Sequence, residues 1–190
     1  TLDGTLFPYT TLFRSDPAEI NTTYSATFTE SNGTITFSGE TTVRGAISPS
    51  GNIGLGHDWQ ASDPNIGLFI KKPTSASVAT LNGTYRFYEL QDSVNSSYGL
   101  TGTSRMTVSQ ITFNGAGNYS GFQVVYNDGS WSPTSTGEYS VSSCGQVTIG
   151  SEQPGSNEFM QVSADGNVVV FVQHNANDFC GFAVGIKQDS

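Results

Sequence analysis

The reactive side chains of this chain are few: two histidines, two cysteines and a thin scatter of carboxylates. Hydrolysis on two carboxylates needs an Asp/Glu pair held roughly 5–9 Å apart. Glu138, Glu152 and Glu158 lie near predicted strand ends, and nothing in their spacing selects a pair. Asp128, Asp165 and Asp178 fall in predicted turns, the least costly place for an aspartate. His57 and His174 give one imidazole per segment, too few for a zinc site with three or four ligands, and read as surface or barrel-mouth residues. Asn175-Ala176-Asn177-Asp178 has the oxygen density of a calcium loop but not its spacing or its distal bidentate Glu, and reads as an Asn-rich turn. Trp59, Trp131, Tyr98 and Tyr126 have the flat faces that stack on sugars, although such rings more often fill cores.

The motifs of common catalytic machinery are missing. There is no Gly-x-Ser-x-Gly elbow, no Cys-x-x-Cys and no His-Glu-x-x-His. Gly115-Ala116-Gly117 leads into a strand and not a helix, which removes the dinucleotide reading. No cofactor is implied. The formal net charge is −9 with seven Lys and Arg, so the chain has no basic footprint for nucleic acid and no polybasic patch for anionic lipid. No apolar run approaches the roughly 20 residues of a membrane-spanning helix. Few Lys among many Ser, Thr, Asn and Gly is a composition common in secreted bacterial β-proteins.

Whatever site exists must be positioned by strands. The chain reads as short β-segments joined by Gly, Asn and Asp turns. Strands are expected at 22–29, 34–38, 42–47, 53–58 and 66–70, with Asn32-Gly33 as a strong hairpin signal. A second series is expected at 84–90, 105–113, 119–126, 137–142, 146–149, 158–162, 167–172 and 179–187. In 105–113 the apolar alternation changes phase near Ser109-Gln110, which predicts a bulge there. Eight short strands at regular spacing predict an all-β, antiparallel barrel or sandwich.

The two series repeat one another. Tyr24-Ser25-Ala26-Thr27 matches Tyr139-Ser140-Val141-Ser142, and Ile47-Ser48 with Gly51-Asn52 matches Val162-Ser163 with Gly166-Asn167, all at an offset of 115 positions. Ile70-Lys71 matches Ile186-Lys187 one position further on. A period of this length is the size of a small domain. Residues 16–72 thus read as the C-terminal half of a first unit, 73–80 (Pro, Ser, Thr, Ala) as a linker, and 81–188 as a complete unit. The first copy lacks the counterpart of Leu81 to Glu138. Thr5 to Ser15 resembles a translated sequencing adapter, so residues 1–15 are set aside as a scar, with any signal peptide lost along with the missing N-terminus.

Leu81-Asn82-Gly83-Thr84-Tyr85-Arg86-Phe87, Thr112-Phe113-Asn114-Gly115-Ala116-Gly117-Asn118, Gly137-Glu138-Tyr139-Ser140-Val141 and Val162-Ser163-Ala164-Asp165-Gly166-Asn167 form a series. It resembles uncharacterised bacterial repeat domains with a lipocalin-like (calycin-type) barrel, common in secreted or surface proteins. The resemblance implies an eight-stranded up-and-down barrel that holds one small apolar ligand. Met106, Val108, Phe122, Val124, Val168, Val170, Phe182 and Val184 are the expected interior lining. Cys144 and Cys180 stand near strand-flanking turns of the second copy, and both are absent from the first. That joint absence makes them a disulfide candidate, which would place the protein in an oxidising compartment.

The expected function is that of a non-enzymatic secreted or cell-surface repeat, with a structural or interaction role, whose partners are a small apolar ligand and neighbouring repeats. A carbohydrate-binding or adhesin module using Trp131 and Tyr126 is one alternative. An isomerase or cyclase on the same barrel is another, and it needs polar side chains inside the barrel.

Overall fold

A computed structural model describes residues 3–6, 26–37, 43–58, 65–94, 100–125, 129–150, 158–174 and 179–189. The chain divides into two compact units, Thr1–Lys71 and Lys72–Ser190.

The first unit is one antiparallel sheet of six strands in sequence order: β1 (Asp3–Leu6), β2 (Ala26–Ser31), β3 (Thr34–Phe37), β4 (Val43–Ile47), β5 (Ile53–Asp58) and β6 (Asn65–Ile70). The Asn32-Gly33 hairpin forms as expected, with both residues at positive φ (52° and 78°). Strand β1 falls within the stretch set aside as a scar; it pairs with β2 from Asp3↔Thr29 to Leu6↔Ala26.

The second unit is a closed, up-and-down antiparallel barrel of eight strands: β7 (Asn82–Val94), β8 (Leu100–Asn114), β9 (Asn118–Val125), β10 (Ser135–Val141), β11 (Gln146–Ile149), β12 (Glu158–Val162), β13 (Val168–His174) and β14 (Phe179–Lys187). Strand β14 closes it on β7, from Phe179↔Ser93 to Lys187↔Tyr85. This is the all-β, eight-stranded fold that the lipocalin-like resemblance implied.

Residues opposite each other in an antiparallel pair point to the same side. The buried cluster of Leu81, Tyr85, Phe87, Ile111, Phe113, Tyr139, Val147, Met160, Val162, Val169 and Ala183 therefore marks the inside. It fills the end of the barrel nearest the turns at 114–118, 142–145 and 163–167. Phe113 sits between Tyr85 and Tyr139 in two edge-to-face contacts, with centroids 5.5 and 4.9 Å apart.

Residues 73–80, expected as a linker, run along this closed end. Ala76 N–H donates to Ser143 O, Pro73 is buried, and a 3-10 turn spans Val78–Thr80. The Tyr139 hydroxyl lies 2.8 Å from both Val78 O and Leu81 O, and that of Tyr85 donates to Gly166 O. Burial pushes the Tyr85 phenol up to about 12, and raises Tyr139 in the same direction.

The hairpins β4–β5 and β12–β13 are built by the same hydrogen bonds. Ser48 N–H to Ile53 O (2.7 Å) corresponds to Ser163 N–H to Val168 O (2.8 Å). Gly51 N–H to Ser48 O (2.8 Å) corresponds to Gly166 N–H to Ser163 O (3.0 Å). Lys71 N–H to Asn52 O and Lys187 N–H to Asn167 O, both 2.9 Å, complete the match. The Gly-Asn turns that stood out in the sequence thus make equivalent structures in the two units.

The bulge expected in β8 lies elsewhere. Strand β8 keeps an unbroken register with β7 from Ser104↔Asp92 to Asn114↔Asn82. The irregularity is in the β8–β9 pairing, where Gln110↔Gln123 is followed by Thr112↔Ser120. The extra residue is on β9, beside Gly121 at φ 66°.

Candidate functional site

Strand β7 carries the key to the site because its two faces exchange character halfway along. Tyr85 and Phe87 point inward and are buried, but the next inward residues are Glu89 and Gln91. Their opposite numbers on β8 are Thr107 and Arg105, and on β14 they are Ala183 and Gly181. Gln173 on β13 lies opposite Gly181. The interior is thus apolar at the end closed by residues 73–81 and polar at the other.

These polar groups are joined to one another. The Thr107 hydroxyl donates to Glu89 Oε2 at 3.0 Å, and Gln173 Nε2 donates to Glu89 Oε1. Arg105 Nε donates to Gln91 Oε1. Thr107 is 3% exposed and Gln91 6% exposed. Gly181 makes room for the carboxylate, since a Cβ there would stand 2.6 Å from Glu89 Oε1. The Gln91 amide nitrogen has no hydrogen-bond partner among the described residues. A buried amide donor left unpaired costs on the order of 1–3 kcal/mol, so such a group is explained best by something it is there to meet.

Six of the eight residues expected inside the barrel face outward. Met106 pairs with Leu90, and Val108 and Val184 both pair with Tyr88; these are exterior positions. Met106 is 61% exposed, Tyr88 47% and Leu90 43%. Phe182 lies opposite Leu90 and Val168 opposite the exposed Ile186 on the same outer face; Val170, opposite Val184, shares that face by register but is buried there at 3% exposure. Only Phe122 and Val124 point inward, the former packed on the core and the latter opposite Ser109. The expectation placed every apolar alternation inside, whereas in the open half of the barrel the apolar face is the outer one, and at the closed end β13 is apolar on both faces, Val168 outside and Val169 inside. The apparent phase change in β8 is that same inversion, on a stretch whose register with β7 is unbroken from Ser104 to Asn114.

The disulfide is also corrected. Cys144 is a free, exposed thiol in the β10–β11 turn. Val162 N–H donates to Gly145 O, which sets that turn at the closed end beside Val169 and Gly185. Cys180 is the second residue of β14, at the opposite end, paired with His174. At about 3.3 Å per strand residue the separation far exceeds the Cα–Cα reach of a disulfide, roughly 7 Å at most. The Cys180 side chain lies outside the described residues. The Ser142 hydroxyl, 3.2 Å from Cys144 Sγ, holds the Cys144 thiol below its usual range.

The remaining sequence candidates do not assemble. Glu138 is exposed on β10, Glu158 lies opposite Gln173 at the open end, and Glu152 lies outside the described residues. His57 is exposed on β5 in the first unit; the side chain of His174 lies outside the described residues, as do Trp59, Tyr98, Tyr126, Asp128 and residues 175–178. Trp131 is exposed beside Val125. Among the described residues, no three His, Cys, Asp or Glu side chains gather as metal ligands. No helix among them is long and apolar enough to cross a membrane. No known family model matches the chain, and no curated protein matches it either.

Proposed function

We propose that the barrel is a non-enzymatic small-ligand-binding module, and that its ligand is amphipathic rather than purely apolar. The supporting observation is the polar set at its open end, in which Gln91 and Thr107 are buried, above all the unpaired amide of Gln91 beside the Glu89 carboxylate. Gln91 offers donors and Glu89 offers acceptors, two residues apart on one strand face. A hydroxyl or carboxamide head group presents the complementary acceptor and donor. Phe87, Phe122 and Phe171 supply an apolar wall for the body of such a ligand.

The test is a titration followed by amide chemical shifts, comparing a medium-chain primary amide with the fatty acid of equal length. The amide is expected to perturb β7 and β8 around Glu89 and Thr107, and the acid to bind about tenfold more weakly, because a second carboxylate beside Glu89 is repelled. If neither head group moves those resonances, the ligand reading is lost.

The polar set also supports a second reading, an enzyme on the same barrel with Glu89 as its proton acceptor. A saturating amide or alcohol probe recovered unchanged, with no exchange of its carbon-bound hydrogens into heavy water, argues against it. The matched hairpins support a tandem-repeat protein built from copies of one barrel unit. Location at the cell surface or outside the cell, in a bacterium, is proposed on composition and the sequence resemblance, without the disulfide as a ground.

A further inference from the structure

The outer face of β14, β7 and β8 is the other half of the inversion. Its rows, read from β14 across β7 to β8, are Ile186–Arg86–Gln110, then Val184–Tyr88–Val108, then Phe182–Leu90–Met106. Asp92 and Ser104 follow on β7 and β8, joined by a hydrogen bond from the Ser104 hydroxyl to the Asp92 carboxylate. Two complete apolar rows are thus bordered on β7 and β8 by Arg86 and Gln110 on one side and by Asp92 and Ser104 on the other. Tyr88, Leu90 and Met106 are large and exposed, which on the outside of a barrel marks an interaction surface.

The arrangement is complementary to itself. Arg86 and Asp92 are equidistant from Glu89 on one strand, and neither has an ion-pair partner among the described residues. A two-fold axis crossing the strands at the level of Glu89 would lay β7 of one copy antiparallel over β7 of another. Arg86 would then meet the second copy's Asp92, Tyr88 would meet Leu90, Val108 would meet Met106, and Val184 would meet Phe182. Isologous interfaces demand this kind of self-matching surface. A lipid surface is the poorer fit, because the chain is acidic, with net charge −9 and seven Lys and Arg.

We propose that this outer face is a homodimer interface, with the two barrels packed face to face through β14, β7 and β8. The test is sedimentation velocity of the full chain over a concentration series. A reversible dimer is expected. Leu90→Glu places a charge at the centre of the face and is expected to weaken dimerisation by a hundredfold or more. Arg86→Asp and Asp92→Arg each place like charges together twice across the axis, and each is expected to weaken it by about tenfold. The double variant Arg86→Asp/Asp92→Arg restores the pairing and is expected to regain most of the affinity. Circular dichroism checks that each variant keeps its fold; should Leu90→Glu fail that check, Met106→Glu takes its place. A chain that stays monomeric throughout the series overturns the proposal. So does a dimer indifferent to the central charge, or a double variant as weak as the singles.

Discussion

Glycine at 181 and 185 is what lets the inner face of β14 accept its neighbours. A Cβ at Gly181 meets Glu89 Oε1, and one at Gly185 meets the Phe87 ring. Gly181→Ala is expected to push the carboxylate off Gln173 and cost about 1–3 kcal/mol, measured by urea unfolding. Tyr85 gives a prediction with a sign in pH. Its folded phenol holds its proton up to about 12, while the unfolded chain loses it near 10. Between those values the folded state binds more protons, so stability is level below about pH 10 and falls as pH rises toward about 12. Tyr85→Phe should reduce that alkaline decline, leaving the part due to Tyr139, and cost roughly 1–3 kcal/mol at neutral pH, because Gly166 O loses its donor. Denaturant midpoints of both proteins across pH 8–12 check this. At this scale the sequence was least legible. Glu89 carries no motif, and its role depends on Thr107 and Gln173, which only barrel closure brings near it.

Strand positions were legible because turn chemistry punctuates them: 53–58, 146–149, 158–162 and 179–187 fall where the Gly and Asn turns set them. Strand facing was not legible: Tyr85, Phe87, Ile111 and Phe113, which build the core, were not among the residues expected inside. In the open half of β7 and β8 both faces mix types, so periodicity alone chose the wrong side for Met106 and Val108. Small polar residues likewise made 73–80 look like a connector, although its backbone is fixed by tertiary hydrogen bonds. Tyr139 is the post for that segment, with its hydroxyl 2.8 Å from both Val78 O and Leu81 O. Tyr139→Phe should leave the barrel strands protected while amide exchange at Thr80 and Leu81 speeds up by about tenfold, which native-state hydrogen exchange reads directly.

The two units answer the problem of sheet edges differently. In the barrel every strand has a neighbour on both sides, and among the described residues eleven buried apolar side chains form one core. In the first unit the sheet ends at β1 and β6, and the buried apolar side chains among the described residues are Ile35 and Leu68. A sheet not closed on itself keeps edge strands, whereas a closed one leaves no edge to template aggregation. A chain of residues 72–190 is therefore expected to melt in one cooperative transition, with the far-ultraviolet spectrum of a β-protein. Residues 1–71 expressed alone are expected to show no such transition, and to associate as concentration rises. The comparison also tests the repeat. Hairpins β4–β5 and β12–β13 share their hydrogen bonds, but in the barrel β14 is completed by β7, and among the described residues β6 of the first unit has no such neighbour. If residues 1–71 fold cooperatively as a monomer, that sheet is a domain complete in itself, and its likeness to β10–β14 is a shared hairpin design rather than half of a repeated barrel.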